Sequence, residues 1–281
     1  MNVSAVVPVY NAATTLERAI NSLLIQPEIN EIFIVDDGST DGSYGLVLDI
    51  ERRYDLVTVL THPNHSNRGA SASRNLGLKF CTNEWIQFLD ADDELLEFKV
   101  SSQLNLINNN THLVVGSSYV HSKNRIIRRS PLTEPYSGVL CGKLGDTCSN
   151  LWNRFTINKV GGWNELLINT QEYDLMFRIL KEFPNVQYSF IPLTNIYYQA
   201  SSITFSSFFK FEKSENQIML KNSIRDFLIK HNKFTIKREF FYSIGICNFK
   251  RFHNTQLLTY EKSYYYFIYK SIKFFSDRLI R

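Results

Sequence analysis

Short apolar runs alternate with segments of helical period through the first 95 residues, and the last of these runs opens into a block of carboxylates. Val3–Val9, Ile32–Val35, Leu56–Leu60 and Trp85–Leu89 read as strands, the second and the last buried in a sheet. Between them Leu16, Ala19, Ile20, Leu23 and Leu24, then Leu46, Ile50 and Tyr54, then Ala72, Leu76 and Phe80 mark three helices. Thr14-Thr15-Leu16-Glu17 fits a capping box at the start of the first. Strands alternating with helices predict a parallel, right-handed doubly wound α/β sheet. Such sheets bind ligands beyond the C-terminal ends of their strands.

The strand ends carry the chemistry. After Leu89 come Asp90, Asp92, Asp93 and Glu94, four acids within five positions. Clustered carboxylates suit Mg²⁺ or Mn²⁺, which take one or two of them and complete their shell with water and substrate phosphates. The plainer alternative is that these acids end a strand and cap the next helix. Asp36-Asp37-Gly38 ends the second strand, where an acid commonly receives hydrogen bonds from a nucleobase or ribose. An Asp-Gly turn with Ser39 or Asp41 as helix cap is the competing reading.

Asn67-Arg68-Gly69-Ala70-Ser71 opens a helix with small residues, which lets a phosphate approach its positive end, and Arg74 adds a charge-assisted contact. Tight helix–sheet packing explains the same residues. No Gly-Lys-Ser/Thr follows, so this is not a Walker loop. The first strand lacks a Gly-x-Gly-x-x-Gly, which argues against a dinucleotide cofactor.

Residues 171–182 form a predicted helix with Thr170 as its N-cap. Leu175, Met176, Ile179 and Leu180 share one face, and Glu172 projects from the middle of it. Asp174 lies opposite, where an ion pair with Arg178 accounts for it. A carboxylate on a buried face must be paired, hydrogen-bonded or functional. One acidic site for base and ribose, one for metal and diphosphate, and one lone proton acceptor together suit displacement of a nucleoside diphosphate from a sugar. The metal offsets charge on the leaving diphosphate and Glu172 takes the proton of the attacking hydroxyl.

Past residue 95 the rhythm changes. Residues 98–109 read as helix, 112–120 as strand, and the basic stretch with Lys123, Arg125, Arg128 and Arg129 as a hairpin. Residues 141–170 read as irregular, with a marked turn at Gly161-Gly162, and 186–198 as strand. Residues 206–281 hold 15 Lys/Arg against 6 Asp/Glu and are rich in aromatic residues, whereas the chain as a whole carries +4. The four cysteines show neither disulfide nor zinc spacing, no signal peptide is visible, and no apolar run reaches the ~20 residues a membrane helix needs. A cytoplasmic protein is expected, with peripheral attachment to the inner face of the cytoplasmic membrane through the tail. Amphipathic helices of such composition lie on anionic membrane surfaces. The competing expectation is a helical subdomain packed on the body, and nucleic acid is not an expected partner.

These motifs, taken in order, resemble the inverting GT-A-fold glycosyltransferases of the large family 2, which build bacterial surface polysaccharides. Val6-Val7-Pro8-Val9-Tyr10-Asn11 resembles the opening strand, and Val35-Asp36-Asp37-Gly38-Ser39-Thr40-Asp41-Gly42 the nucleotide-binding turn. Asn67 through Asn75 is similar to the second nucleotide-sugar segment, and Leu89-Asp90-Ala91-Asp92-Asp93 to the Asp-x-Asp metal motif. Gly161-Gly162-Trp163-Asn164-Glu165 resembles the acceptor-side turn, and Gln171-Glu172-Tyr173-Asp174-Leu175 with Arg178 the segment of the catalytic base.

The resemblance implies a GT-A catalytic domain over 1–205 and a basic aromatic helical region over 206–281. It implies Pro8, Tyr10, Asp37, Asn67, Gly69, Arg74, Asp90 and Ala91 around a nucleotide-sugar, UDP-sugar favoured, with Asp37 on the base and Asp90 on ribose or metal. Asp92 would hold Mn²⁺ or Mg²⁺, Trp163, Asn164 and Glu165 would face a glycan or lipid-linked acceptor, and Glu172 would be the base. Two positions depart from the family pattern. Gln171-Glu172 replaces the usual Glu-Asp, and the late histidine of some members is missing around Tyr197–Ser202. A sugar nucleotidyltransferase and a non-catalytic nucleotide-sugar-binding partner are the alternatives.

Overall fold

The computed structural model describes residues 1–122, 125–197 and 210–250, with side chains throughout except at 210–214 and 247–250. Strands β1 (Val3–Val9), β2 (Ile29–Asp36), β3 (Val57–Thr61) and β4 (Trp85–Phe88) alternate with helices α1 (Leu16–Leu24), α2 (Ser43–Arg53) and α3 (Ala70–Phe80). All pairings among these strands are parallel, and β1 lies between β2 and β4. Val3, Ala5, Val7 and Val9 of β1 pack into one core with α1 and α2, while Val6 enters the core on the other face with α3. Burial on both faces is why these strands carry so few polar residues.

Beyond β4, where the change of rhythm after residue 95 is expected, the sheet becomes mixed. After β5 (Glu94–Leu95), α4 (Lys99–Leu104), β6 (Leu113–Ser122), β7 (Arg125–Arg129), α5 (Pro135–Cys141), β8 (Leu151–Asn153), α6 (Arg154–Lys159), α7 (Gln171–Glu182) and β9 (Val186–Tyr197), the strand order is β3-β2-β1-β4-β8-β6-β9-β5, with β7 on β6. β8 joins β4 and β6 antiparallel, β9 lies parallel to β6, and β5 runs antiparallel to β9. Antiparallel neighbours need no crossover helix, which lets this half omit the strand–helix rhythm. The basic stretch does form a hairpin strand, Ser122 pairing with Arg125. The stretch expected to be irregular, 141–170, holds β8 and α6.

Two helix starts also differ from expectation. Thr15 and Thr170 stand at the N-cap positions of α1 and α7, yet neither side chain makes a capping hydrogen bond. Thr170 takes a left-handed backbone (φ 58°) and its hydroxyl donates to the Asn169 carbonyl at 2.6 Å instead.

Two further helices, α8 (Lys210–Lys230) and α9 (Ile236–Lys250), pack on α5. Their Ile224, Leu228, Tyr242 and Ile246 belong to the same buried cluster as Val6, Trp152 and Leu180. Gly245 lies so close to the Leu140 carbonyl that a Cβ would collide with it. In the described part of the tail, packing on the body is therefore what the rings of Phe241 and Tyr242 do. The aromatic runs Phe208-Phe209 and Tyr264–Lys270 of the basic tail lie outside the described residues. No helix among the described residues is long and apolar enough to cross a membrane.

Because α8 completes the common core, Ile224→Ala should cost about 3 kcal/mol, as for a fully buried Ile. Urea unfolding should remain one transition shifted to lower denaturant; an early separate transition would mean that α8 folds independently.

Candidate active site

The ends of β1 and β2 open onto a cavity of about 1410 Å³. Tyr10, Asp37 and Asn67–Ser71 line one part of it, and Gln171, Glu172 and Tyr173, at the start of α7, line another. Further wall comes from β7, from α5 and the loop after it, from the segment before α7 that includes Glu165, and from α8 and α9.

Asp37 is buried, and each of its oxygens takes a backbone hydrogen bond. Its two oxygens accept hydrogen bonds from the backbone N–H of Arg68 at 2.7 Å and of Gly69 at 2.9 Å. The buried His62 ring lies 3.5 Å from it. Asp36 accepts from Gly38 and Ser39, both at 3.2 Å. The paired acids thus shape the strand end, and Gly38 permits the turn: its φ is +78° and a Cβ would come within 2.5 Å of the His65 carbonyl. Asp37 in this way fixes the loop that delivers the N-terminus of α3 to the cavity.

At that N-terminus Gly69 has φ +86° and open space where a Cβ would stand. Two residues on, the Ser71 hydroxyl is buried and without a partner although its residue lines the cavity. A helix N-terminus with small residues and an unsatisfied hydroxyl is a setting for an anion.

The acids after β4 make a second centre. β2 and β4 flank β1, so their ends lie about 10 Å apart. Asp90, Asp93 and the Cys148 thiol offer ligand atoms within 4.8 Å of one another, and Asp92 is not in that group. The thiol, which burial holds protonated by pushing its pKa well up, donates to Asp93 at 3.1 Å. Asp93 also accepts the Tyr197 N–H at 3.0 Å. Burial, with Asp90 alongside, pushes the Asp92 carboxyl up to about 6, and burial with both neighbours pushes Asp93 well above the usual range. Crowded carboxylates that resist ionising together are a donor set that fits a hard divalent cation. Arg18 reaches this centre from α1, stacking on Tyr197 at 4.0 Å and donating to the Asp92 carbonyl at 2.5 Å.

Arg74 joins the two centres. It is buried, pairs with Asp90 at 2.5 Å, donates to Gln171 at 3.3 Å, and stacks on Trp163 at 4.7 Å. Neither Asp90 nor Asp92 lines the cavity; their link to it runs through Arg74 and Gln171. Pro8 and Ala91 also stay out of the lining. Trp163, expected on the acceptor side, is instead a core residue, 2% exposed and edge-on to Phe88 at 5.1 Å. Its turn is held by Asn75, which accepts from the Trp163 N–H and donates to its carbonyl and to Glu165. Of the three turn residues only Glu165 lines the cavity.

Glu172 is half-buried in the cavity wall. Its side chain makes no hydrogen bond or ion pair with any other described residue, whereas Asp174 is bound to Arg178 at 2.7 Å. Burial raises its pKa, with Asp146 adding to the effect. A carboxylate in this state is placed to accept a proton. Arg18, Cys148 and the wall from β7 and α5 escaped sequence reasoning, since no spacing marks residues that meet only through the fold.

A model of glycosyl transferase family 2 matches residues 4–179. The chain belongs to this family. An uncharacterized glycosyltransferase of Haemophilus influenzae is 39% identical over 114 residues, covering 40% of this chain and 44% of the relative. The UDP-Glc:alpha-D-GlcNAc-diphosphoundecaprenol beta-1,3-glucosyltransferase WfgD of Escherichia coli is 32% identical over 147 residues, covering 50% and 56%. The matched part thus spans about half the length of each of these two curated relatives. Among solved structures, S. aureus TarS 1–349 in complex with UDP has a TM-score of 0.68 at 16% identity, covering 94% of this chain and 76% of that one. The mannosyltransferase PcManGT of Pyrobaculum calidifontis, with GDP-Man and Mn²⁺, scores 0.61 at 16% identity, covering 89% and 69%. These likenesses show the GT-A fold.

Arg74→Met should leave Asp90 without its cation and cost about 2 kcal/mol, less than a fully buried pair because Asp90 stays partly exposed. Chemical denaturation measures it, and a loss below about 0.5 kcal/mol would mean that Asp90 finds another partner.

Proposed function

We propose that the chain transfers a sugar from a nucleoside-diphosphate donor, UDP-sugar favoured, to a hydroxyl of a glycan or lipid-linked acceptor, with inversion and with a divalent metal, in surface polysaccharide synthesis. The observation that carries this reading is Glu172, a carboxylate without a partner in the same cavity wall as Asp37, Asn67 and Gly69. Relatives add support: TarS has been solved with UDP-GlcNAc, and WfgD by its name acts on a diphosphoundecaprenol-linked acceptor.

In this reading the nucleoside lies against Tyr10 and Asp37, with the diphosphate over Gly69 and Ser71 at the start of α3. Arg74 holds Asp90 in place beneath it. Asp92 and Asp90 would hold Mn²⁺ or Mg²⁺, which supplies positive charge against the departing diphosphate. Glu172 accepts the proton of the acceptor hydroxyl as that oxygen attacks the anomeric carbon from the side opposite the diphosphate. Inversion follows from that single displacement. Glu165, at the cavity edge, faces the acceptor.

Glu172→Gln should lower turnover by about 10²–10⁴-fold with donor affinity kept, the range for losing a general base. The raised pKa of Glu172 places the acid limb of the wild-type rate above the ordinary Glu value of 4.5, the rate rising with pH as the carboxyl ionises. Turnover of the variant near that of the wild type, measured as UDP release with a panel of UDP-sugars, would remove Glu172 from the chemistry.

Asp92→Asn should abolish the Mn²⁺-dependent part of transfer and the Mn²⁺-induced thermal shift in the presence of UDP. An unchanged shift would place the metal elsewhere.

A further inference from the structure

Arg18 stands beside Asp92 without pairing with its carboxylate. From α1 the guanidinium donates to the Asp92 main-chain carbonyl at 2.5 Å and lies over the Tyr197 ring, 4.0 Å from its centre. Its Nε is buried and has no hydrogen-bond partner. The Asp92 carboxylate, for its part, makes no hydrogen bond or ion pair with another described side chain. An unused arginine donor next to an unused carboxylate calls for a cause, because joining them would satisfy both. The other two aspartates of the turn are spent. Asp90 is bound to Arg74 at 2.5 Å, and Asp93 accepts from the Tyr197 N–H at 3.0 Å and from the Cys148 thiol at 3.1 Å.

The Tyr197 ring is the counterweight. Asn195 and Tyr197 are two apart on β9 and share one face of the sheet. Glu94 of β5 is the register partner of Asn195, and His121 of β6 that of Tyr197. Glu94 accepts from the Tyr197 hydroxyl at 2.9 Å and from the Asn195 amide at 3.0 Å, so that carboxylate is engaged as well. The His121 ring stacks on Tyr197 at 4.6 Å, and its Nε2 lies 3.0 Å from the Asn195 Oδ1. A ring tied at its hydroxyl and stacked on a neighbour offers a fixed surface. A guanidinium can lie on such a surface while its edge donates elsewhere, and here the edge meets a carbonyl. Turning to the Asp92 carboxylate would take the guanidinium off the ring.

We propose that Tyr197 is a positioning residue: by stacking Arg18 it keeps the guanidinium off the Asp92 carboxylate and leaves that carboxylate to the metal. An arginine paired with Asp92 would compete for the same oxygens with charge of the same sign. This rests on the reading of Asp92 as the metal ligand and adds what keeps it available.

The test is titration of the full chain with Mn²⁺ at a fixed concentration of UDP. Uptake is read as loss of the paramagnetic resonance signal of free Mn²⁺ beyond that taken by UDP alone. Tyr197→Leu removes the ring and keeps the N–H that Asp93 accepts, and it should weaken Mn²⁺ binding about five- to tenfold, the effect of one partly buried ion pair formed in competition. Tyr197→Phe, which keeps the ring, should bind within about twofold of the wild type. Arg18→Gln/Tyr197→Leu should regain the wild-type affinity, since no guanidinium is left to compete; a ring that merely supports the fold would give no such rescue. Circular dichroism melting establishes that the variants are folded. Should Tyr197→Leu not fold, Arg18→Lys carries the test, because a compact ammonium lacks the plane that stacks and should turn to Asp92, weakening Mn²⁺ binding likewise. Wild-type affinity in Tyr197→Leu or in Arg18→Lys, or a double variant as weak as Tyr197→Leu, would overturn the proposal. No Mn²⁺ uptake by the wild type would overturn it together with the metal site at Asp92, and UDP release from a UDP-sugar without added metal would then still carry the transferase reading.

Discussion

One buried guanidinium holds the candidate site together. Arg74 grips Asp90 at the end of β4, touches Gln171 at the start of α7, and lies over Trp163 in the turn before that helix. An arginine can do this because its planar fork presents several donors at once and its face stacks on an aromatic ring. Three segments far apart in the chain are thereby fixed relative to one another. The acid after β4 is thereby tied to the start of α7, the helix that carries Glu172.

Around that link the acids divide their labour according to what surrounds them. Asp36 and Asp37 are spent on backbone N–H groups and determine the course of the loop into α3. Asp90, Asp92 and Asp93 crowd one another in a partly dry pocket, so their charge is costly until a cation shares it. Glu172 makes no hydrogen bond or ion pair with another described side chain and stays available. The same functional group thus serves as scaffold, as cation site and as base, and its environment alone distinguishes the roles. The reach of the cavity toward β7 and α8 gives an acceptor its own wall, apart from the wall that Asp37 and Gly69 provide.

Much of the first half was legible in the chain itself. Apolar runs located β1, β2 and β4, the last two ending in acids, because strands buried on both faces tolerate few polar residues. The face shared by Leu175, Met176, Ile179 and Leu180 located α7, and all four are fully buried. The second half was harder to read. β8 has three residues and β5 has two, too short for any periodicity to register. Trp163 looks like a recognition residue in sequence, yet it fills the space between Phe88, Trp152 and Arg74.

What the sequence determined by itself was the list of groups and the elements that carry them: acids at strand ends, small residues at the start of α3, a lone carboxylate on α7. Local pattern suffices there, since each depends on a few neighbouring residues. Tertiary structure alone decided which acid is satisfied and which is free, that Cys148 stands beside Asp93, and that α8 and α9 complete the core rather than stand apart. It also brought the arginines of β7 to the same cavity as Glu172. These are contacts between residues dozens of positions apart, and they exist only once the sheet has placed its strands side by side.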